Sequence, residues 1–170
     1  MENIIKAVDY LIKEKNIKDF YVILIGYGDE YDNHLSLISK LGLNDYVEMP
    51  GRLPDKEVKE ILSTCDICLA PDPENGLNEF HTMNKIMDYM RFGKPIVSFN
   101  LKESIYSAGK AALYIKNNDI KQFAEAIITL MNNEELRNKM GEFGKEKVEN
   151  KLTWEYSKNI LLKSYKNIFS

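Results

Sequence analysis

Apolar and polar residues follow two different periods along this chain. Residues 3–15 place apolar side chains at helical spacing with lysines opposite, which predicts one amphipathic helix. The next apolar run, residues 21–25, is continuous and of strand length, as is typical of a strand covered by helices on both faces. An opening helix is unusual for a parallel α/β domain, in which a strand normally comes first.

Strand and helix patterns then alternate as far as residue 115. Further strands are predicted at residues 46–49, 67–70, 95–98 and 112–115. Helices are predicted from Asp29 to Leu41, from Asp55 to Leu62 and from Thr82 onward, with 100–109 as a loop, and then at 119–131, at 134–150 and after Thr153. This order predicts a single α/β domain over residues 1–170, with a Rossmann-like doubly wound parallel sheet and C-terminal helices.

Composition narrows the class of protein. The 170 residues carry 23 Lys and Arg against 26 Asp and Glu, and this mildly acidic balance argues against a nucleic-acid partner. The N-terminal residues lack the pattern of a secretory signal, and no apolar stretch approaches the roughly 18 residues of a membrane span. We therefore expect a cytoplasmic location.

The two cysteines form a CxxC sequence, Cys65 to Cys68, but its context is wrong for redox chemistry. A redox pair normally begins a helix, whereas Cys68 falls in a predicted strand. We interpret both as ordinary buried thiols, with redox or metal chemistry as the less favoured alternative. With only His34 and His81 far from them, no metal site is predicted.

A glycine pair, Gly26 and Gly28, follows the first predicted strand. Strand, Gly-x-Gly and helix are typical of dinucleotide-binding proteins, but the third glycine of that fingerprint would fall on Tyr31. The sequence thus disfavours a classical NAD site. Two interpretations stay open, a close backbone approach to a ligand and a simple tight turn between strand and helix.

The most informative stretch is 72–95, a polar loop followed by a crossover helix between two predicted strands. We expect the Thr82 hydroxyl to cap the helix, whose free N–H groups and partial positive charge would face the edge of the sheet where phosphates bind. Lys85 and Asp88 lie three residues apart, on neighbouring positions of that helix. A cation for a phosphate and a carboxylate for sugar hydroxyls fit this placement.

Several segments in this order resemble the C-terminal, donor-binding half of a GT-B glycosyltransferase of glycosyltransferase family four. They are 22–28, 43–51, 65–71, 82–90, 93–97, 101–109, 136–141 and 152–154. Each segment is weak alone, but their order and spacing together are specific, and they run through almost the whole chain.

The resemblance implies a nucleotide-diphosphosugar, a UDP- or GDP-sugar, bound along the carboxyl edge of the sheet. Its sugar would be transferred with retention to a saccharide or lipid-linked acceptor, without a required metal or tightly bound cofactor. The residues implied to bind the nucleotide-sugar are Gly26, Tyr27 and Gly28 on the phosphate side, Arg52 and Leu53 beside the base, and Thr82, Met83, Asn84, Lys85 and Asp88 at the crossover helix.

The family carries two glutamates separated by seven residues, and this chain departs from that pattern. Asp88 occupies the second position and is implied to hold ribose hydroxyls, but the first position falls on Phe80. Asn84 and Lys85 match a subgroup with the same departure. The resemblance therefore leaves Glu79 or His81 to orient the donor sugar, so the candidate catalytic residues are Glu79, His81 and Asp88.

The resemblance also implies that two parts of a complete enzyme lie outside this chain. These are the N-terminal acceptor-binding domain and the first strand of the donor domain, and their absence would explain the helical start. The final helix would then leave Trp154, Tyr165 and Phe169 partly uncovered, which favours self-association.

Three functions stay open on the sequence. The first is the donor half of a sugar-transferring enzyme of cell-surface polysaccharide synthesis, inactive alone and peripheral to a membrane when whole. The second is a non-catalytic nucleotide-sugar-binding module completed by a separate chain. The third is a degenerate domain that binds no nucleotide, which the departures at Phe80 and Asp88 motivate.

Overall fold

The computed structural model describes residues 1–116 and 118–169. Helices and strands alternate as far as β5, and three helices follow. The helices are α1 (Glu2–Lys13), α2 (Tyr31–Leu41), α3 (Asp55–Thr64), α4 (Asn84–Arg91), α5 (Lys102–Ala108), α6 (Ile120–Met131), α7 (Glu134–Lys151) and α8 (Trp154–Phe169). The strands are β1 (Val22–Ile25), β2 (Val47–Gly51), β3 (Cys68–Ala70), β4 (Ile96–Phe99) and β5 (Ala112–Ile115).

Strand β4 is buried on both faces and joins two layers of the core. Val97 and Phe99 pack with α1 and α6 on one face, where the Phe99 and Phe123 rings lie 5.0 Å apart. Ile96 packs on the other face with Ile86 and other apolar side chains of α4. This alternation confirms the α/β class, because a strand of period two can bury every side chain only between two helical layers.

All described strand pairs are parallel, as predicted, but the strands form two separate hydrogen-bonded ladders. In the part of the chain that the structure describes, β1 pairs with β2, and β3, β4 and β5 form the other ladder in that order. The pairing in the second ladder aligns Cys68 with Ile96 and Ile96 with Ala112. The edge of β1 opposite to β2 forms no ladder hydrogen bonds with a described strand. The same holds for the edge of β3 opposite to β4.

The prediction that the first strand is covered on both faces is wrong. Leu24 is buried against α1, but Ile23 on the opposite face is 36% exposed and Tyr21 is 55% exposed. None of the side chains of α3, the helix that follows β2, is fully buried. The continuous apolar run was thus correct for strand formation and misleading about coverage.

Residues 100–109, predicted as a loop, contain the helix α5. Its serines at positions 104 and 107 are buried, so small polar side chains lie where a helical pattern would place apolar ones. Such a helix carries little apolar periodicity, which explains why the prediction missed it.

Helix boundaries elsewhere follow the predicted signals. The Asp119 carboxylate accepts the Gln122 N–H at 3.0 Å at the start of α6, and Gly42 ends α2 with φ +72°. Thr153 precedes α8, and its hydroxyl accepts the Tyr156 N–H at 3.4 Å. These local signals were read correctly because each depends only on neighbouring backbone groups.

Helix α7 approaches the turn before β4 through two glycines. A Cβ built on Gly141 would lie 2.0 Å from the carbonyl oxygen of Gly93, whose own φ is +64°. Backbone contact of this kind tolerates no side chain, so Gly141 sets the distance between α7 and the α4–β4 turn.

We predict that Gly141→Ala destabilises the domain, because α7 must move away from Gly93. The expected loss is about 2–3 kcal/mol, seen as a fall of about 5–10 °C in the thermal unfolding midpoint by circular dichroism. Glu142→Ala, an exposed neighbour on the same helix, is the control and should leave the midpoint nearly unchanged. Equal midpoints for Gly141→Ala and the parent would contradict this packing.

Helix α8 exposes apolar side chains, as the sequence predicted. Trp154 is 66%, Tyr165 55% and Phe169 80% exposed, and none of the helix's described residues is buried. Contiguous apolar surface of this kind is unusual on a monomer.

We predict that the isolated chain self-associates through α8, since association would remove this apolar surface from water. Sedimentation velocity should show an average mass that rises with concentration, and Leu161→Lys should shift it toward the monomer. Asn159→Lys introduces the same charge on the same helix and serves as the control. A monomer at all concentrations up to about the millimolar range would refute the prediction.

Candidate functional site

The start of α1 meets the carboxyl ends of β1 and β3. A Cβ on Gly26, directly after β1, would lie 3.3 Å from Met1 Cε. The Asn3 side-chain amide donates a hydrogen bond to the carbonyl oxygen of Pro71, directly after β3, at 3.0 Å. The loops that carry most of the predicted site residues therefore converge at one edge of the sheet.

The two loops after β1 and β2 are joined by their backbones. The Gly26 N–H donates to the Gly51 carbonyl oxygen at 2.8 Å, and both glycines have positive φ, +139° and +78°. Arg52 follows in an exposed position and Leu53 is half-buried. The structure thus brings the Gly26–Gly28 turn beside Arg52 and Leu53, two segments whose association the sequence alone did not establish.

Aromatic rings flank the glycine turn. Tyr27 is 62% exposed, and its ring centroid lies 4.9 Å from that of Tyr31. The Tyr31 hydroxyl donates to the carbonyl oxygen of Met49 at 2.6 Å, so the α2 start is tied to β2. The space that a Cβ on Gly28 would occupy is open, which leaves the backbone of this turn accessible.

The predicted cap of the crossover helix is wrong. Helix α4 begins at Asn84, Met83 is the preceding residue, and no side chain caps it. The Thr82 hydroxyl instead donates to the Glu103 carboxylate at 2.8 Å, on α5. The hydroxyl proton is thus given to α5, a helix that was predicted as a loop, and the Thr82 side chain is tied to that helix and not to the start of α4.

Lys85 and Asp88 project from α4 as the spacing predicted. The Lys85 ammonium lies 2.6 Å from the Asp72 carboxylate, two residues beyond β3, and Asp88 is exposed on the next turn. Asp72 is the first residue of the stretch 72–95 and was not among the predicted site residues. The sequence did contain a signal for this residue. An acidic side chain lies between Pro71 and Pro73, directly after the carboxyl end of a buried strand.

The candidate sugar-orienting residues lie in a second group, against α5. The Glu79 carboxylate is 3.6 Å from the Lys102 ammonium, which also lies 5.0 Å from the centroid of the Phe80 ring. His81 is exposed, and its Nδ1 lies 3.4 Å from Met83 Sδ. Contacts therefore tie Glu79 and Thr82 to the start of α5, whereas Lys85 is tied to the end of β3.

The loop between these groups is held by short-range and long-range hydrogen bonds. The Asn75 side chain accepts the backbone N–H groups of Leu77 and Asn78. The Asn118 side chain, beyond β5, accepts the Glu74 N–H and donates to the Glu74 carbonyl oxygen at 3.3 Å. Asn118 itself has φ +52°, a conformation that asparagine tolerates better than most residues. The loop is thus held both by hydrogen bonds within itself and by hydrogen bonds to the segment after β5.

One side chain near the edge has a shifted pKa. Burial raises the pKa of Tyr89, whose hydroxyl donates weakly to the Leu69 carbonyl oxygen at 3.5 Å. The charges of Asp72 and Lys85 also lie at partly dehydrated positions of this edge, where electrostatic interactions are stronger than in bulk water.

The described residues contain neither a metal-binding cluster nor a membrane-spanning helix. Within residues 1–116 and 118–169, no cluster of three or more His, Cys, Asp or Glu is arranged to hold a metal ion. No described helix combines the length and apolarity that a transmembrane span requires.

The fold and the converging loops define the C-terminal type of GT-B α/β domain. The family of glycosyl transferases group 1 matches residues 1–147, which is most of the chain. The chain therefore belongs to this family, and the resemblance seen in the sequence is confirmed.

Relatives agree with this assignment. The chain is 32% identical over 155 residues to the uncharacterized glycosyltransferase MJ1178 of Methanocaldococcus jannaschii, with 88% of this chain and 41% of that protein covered. It is 31% identical over 120 residues to the putative colanic acid biosynthesis glycosyltransferase WcaL of Escherichia coli, with coverages of 68% and 29%. The chain thus spans well under half the length of these relatives.

A solved structure supports the fold. The C-terminal domain of a glycosyl transferase group 1 family protein, LpcC, from Francisella tularensis superimposes with a TM-score of 0.72 at 16% identity. The superposition covers 89% of this chain and 78% of that domain.

The thiol pair lies away from these loops, at the start of β3. Cys65 Sγ and Cys68 Sγ are 3.7 Å apart, Cys68 is buried and Cys65 is half-buried. The hydrogen bond from Cys68 lowers the pKa of Cys65 to about 7, burial opposes the shift, and Lys94 favours it. The same contact and burial raise the pKa of Cys68. The prediction that both thiols are buried is fully confirmed only for Cys68.

We predict that Cys65 is alkylated by iodoacetamide with a pH midpoint near 7, because only the thiolate reacts and its lowered pKa makes it abundant at neutral pH. The alkylation rate should rise through this midpoint, while Cys68 stays unmodified in peptide mass spectra. Cys68→Ala removes the hydrogen-bond donor and should move the midpoint up toward about 8.5. The same midpoint in both proteins would contradict the assigned cause.

Proposed function

We propose that this chain is the donor-binding part of a retaining glycosyltransferase. The enzyme would transfer a sugar from a nucleotide-diphosphosugar to a saccharide or lipid-linked acceptor. Membership of the glycosyl transferases group 1 family over residues 1–147 is the observation that carries the proposal. The WcaL relative is named as a putative colanic acid biosynthesis glycosyltransferase, which supports a role in cell-surface polysaccharide synthesis.

The chemistry of the leaving group explains why this edge of the sheet suits the donor. Cleavage of the bond between sugar and diphosphate leaves negative charge on phosphate oxygens, which fixed hydrogen-bond donors stabilise in the transition state. The backbone N–H groups at Met83 and Asn84, together with the Lys85 ammonium, would supply these donors. The Gly26–Gly28 turn, with Tyr27, would approach the phosphates from the β1 side.

The nucleoside would extend along the joined loops after β1 and β2. Arg52 and Leu53 would lie beside the base, and the Asp88 carboxylate would accept hydrogen bonds from ribose hydroxyls. Thr82 would contribute through its oxygen lone pairs only, since its hydroxyl proton is already given to Glu103.

The donor sugar would be oriented by Glu79 or His81 in the absence of the usual first acid. Glu79 lies near Lys102 at 3.6 Å, which is long for a hydrogen bond, so its carboxylate oxygens retain acceptor capacity. His81 is exposed beside the same loop. No metal ion or tightly bound cofactor is part of the proposal.

The natural partner would be an acceptor-binding N-terminal domain, together with a strand between β1 and β3. The open edges of β1 and β3 support an additional parallel strand there. This chain covers only 41% of the MJ1178 protein and 29% of the WcaL protein, which supports a whole enzyme larger than this chain. The complete enzyme would work in the cytoplasm, at the membrane periphery.

A non-catalytic nucleotide-sugar-binding module, completed by a separate chain, is the second candidate. One observation favours it, the Phe80 ring at the position of the first acid, which is 72% exposed and cannot accept a hydrogen bond from a sugar. Both candidates share the donor site and differ in whether the completed protein transfers the sugar. A degenerate domain without nucleotide affinity is the outcome that the following experiment would detect.

We predict that calorimetric titration detects binding of one nucleoside diphosphate among UDP, GDP and ADP. Lys85→Ala and Asp88→Ala should each weaken that binding about tenfold, because each removes one charge-assisted hydrogen bond. Lys40→Ala and Asp45→Ala remove the same charges from exposed positions around the end of α2 and should bind like the parent.

Selective binding that the site variants alone weaken would support the proposal. Equal affinity for a nucleoside and its diphosphate would contradict the role given to Lys85. Failure of every nucleotide to bind, both to this chain and to a protein extended by the N-terminal domain, would identify a degenerate site.

A further inference from the structure

The ion pair between Asp72 and Lys85 joins the carboxyl end of β3 to the first turn of α4. The Lys85 Nζ and Asp72 Oδ2 atoms are 2.6 Å apart, a short charge-assisted hydrogen bond. The side chains are 36% and 25% exposed, so the pair is partly shielded from water. Partial shielding makes such a contact more persistent than a fully exposed ion pair.

Asp72 is presented by an unusually restricted piece of backbone. Pro71 and Pro73 flank it and fix their own φ angles, and a residue before proline is confined to extended conformations. The Pro71 carbonyl oxygen also accepts the hydrogen bond from the Asn3 side chain. The carboxylate therefore has a nearly fixed origin, which the mobile lysine side chain must meet.

Lys85 without this contact would be a long, flexible side chain on a helix surface. Its ammonium has three N–H donors, of which Asp72 takes one, so two donors remain for another anion. A held ammonium with unused donors is ready to bind, because ordering its side chain costs nothing further when the anion arrives.

We propose that Asp72 is a positioning residue for nucleotide-diphosphosugar binding, which holds the Lys85 ammonium where it meets the diphosphate. This inference rests on the proposed function and adds a residue to it. Asp72 does not touch the donor and acts through Lys85. A carboxylate this close also repels phosphate, so the proposal requires that the gain from orienting Lys85 exceeds that repulsion.

The two effects predict opposite results for Asp72→Asn, which keeps the size of the side chain and removes its charge. If positioning dominates, the nucleoside diphosphate selected by titration binds about fivefold more weakly to the variant, and affinity for the matching nucleoside is unchanged. If repulsion dominates, the diphosphate binds more tightly, and the proposal is overturned.

A double-mutant cycle tests whether Asp72 acts through Lys85. The affinities of Asp72→Asn, Lys85→Ala and the double variant are compared in calorimetry, and the double variant should bind no more weakly than Lys85→Ala alone. Losses that simply add would mean that Asp72 acts independently, and would overturn the proposal. Asp72→Glu keeps the carboxylate and should recover part of the lost affinity.

The matched control is Glu125→Gln. It removes the carboxylate of another long-range ion pair, with Lys15 just beyond the far end of α1, and should leave diphosphate affinity unchanged. Circular dichroism checks that each variant is folded. If neither the unaltered chain nor the protein extended by the N-terminal domain binds a diphosphate, the proposed function and this inference both fail, whereas unchanged affinity in Asp72→Asn refutes this inference alone.

Discussion

The burial of β4 between two helical layers is the constraint on which the rest of this domain depends. All four of its residues are buried, and β3 and β5 pair along its two edges. Because α4 is the crossover between β3 and β4, the end of β3 and the start of α4 must lie at the same edge. The contact between Asp72 and Lys85 is therefore a consequence of the topology, although the two residues are thirteen positions apart in the chain.

The same topology divides the candidate residues into two groups. Lys85 is held by the segment after β3, while Glu79 and Thr82 contact the first turn of α5 through Lys102 and Glu103. The loop between them bridges two elements that follow different strands. Any ligand that spans the loop would contact both groups, which fits a donor with a charged diphosphate at one end and a neutral sugar at the other.

The ladder of β1 and β2 depends on helices rather than on hydrogen bonds to the other strands. Helix α1 packs against Leu24 and Val47 with one part of its surface and against the layer around Phe99 with another. A shared helix thus holds the two ladders in one domain. One face of β1 stays exposed, and the chain covers 41% of the MJ1178 protein.

The sequence by itself determined the element order, the parallel α/β class and most helix ends, because period, apolar runs and caps depend on neighbouring residues. It also identified the family, since the order of several short segments is specific even where each one is weak. Lys85 and Asp88 were found from their spacing on one helix.

Only the tertiary structure decided the partners of those residues. Thr82 donates to Glu103, on a helix whose buried serines hid its periodicity, and does not cap α4. Asp72 pairs with Lys85, a side chain on another element. The coverage of β1 was likewise decided by which elements pack against its two faces, and not by the strand's own residues. Contacts between elements depend on how helices and strands pack in space, and a local pattern of residues carries no information about that packing.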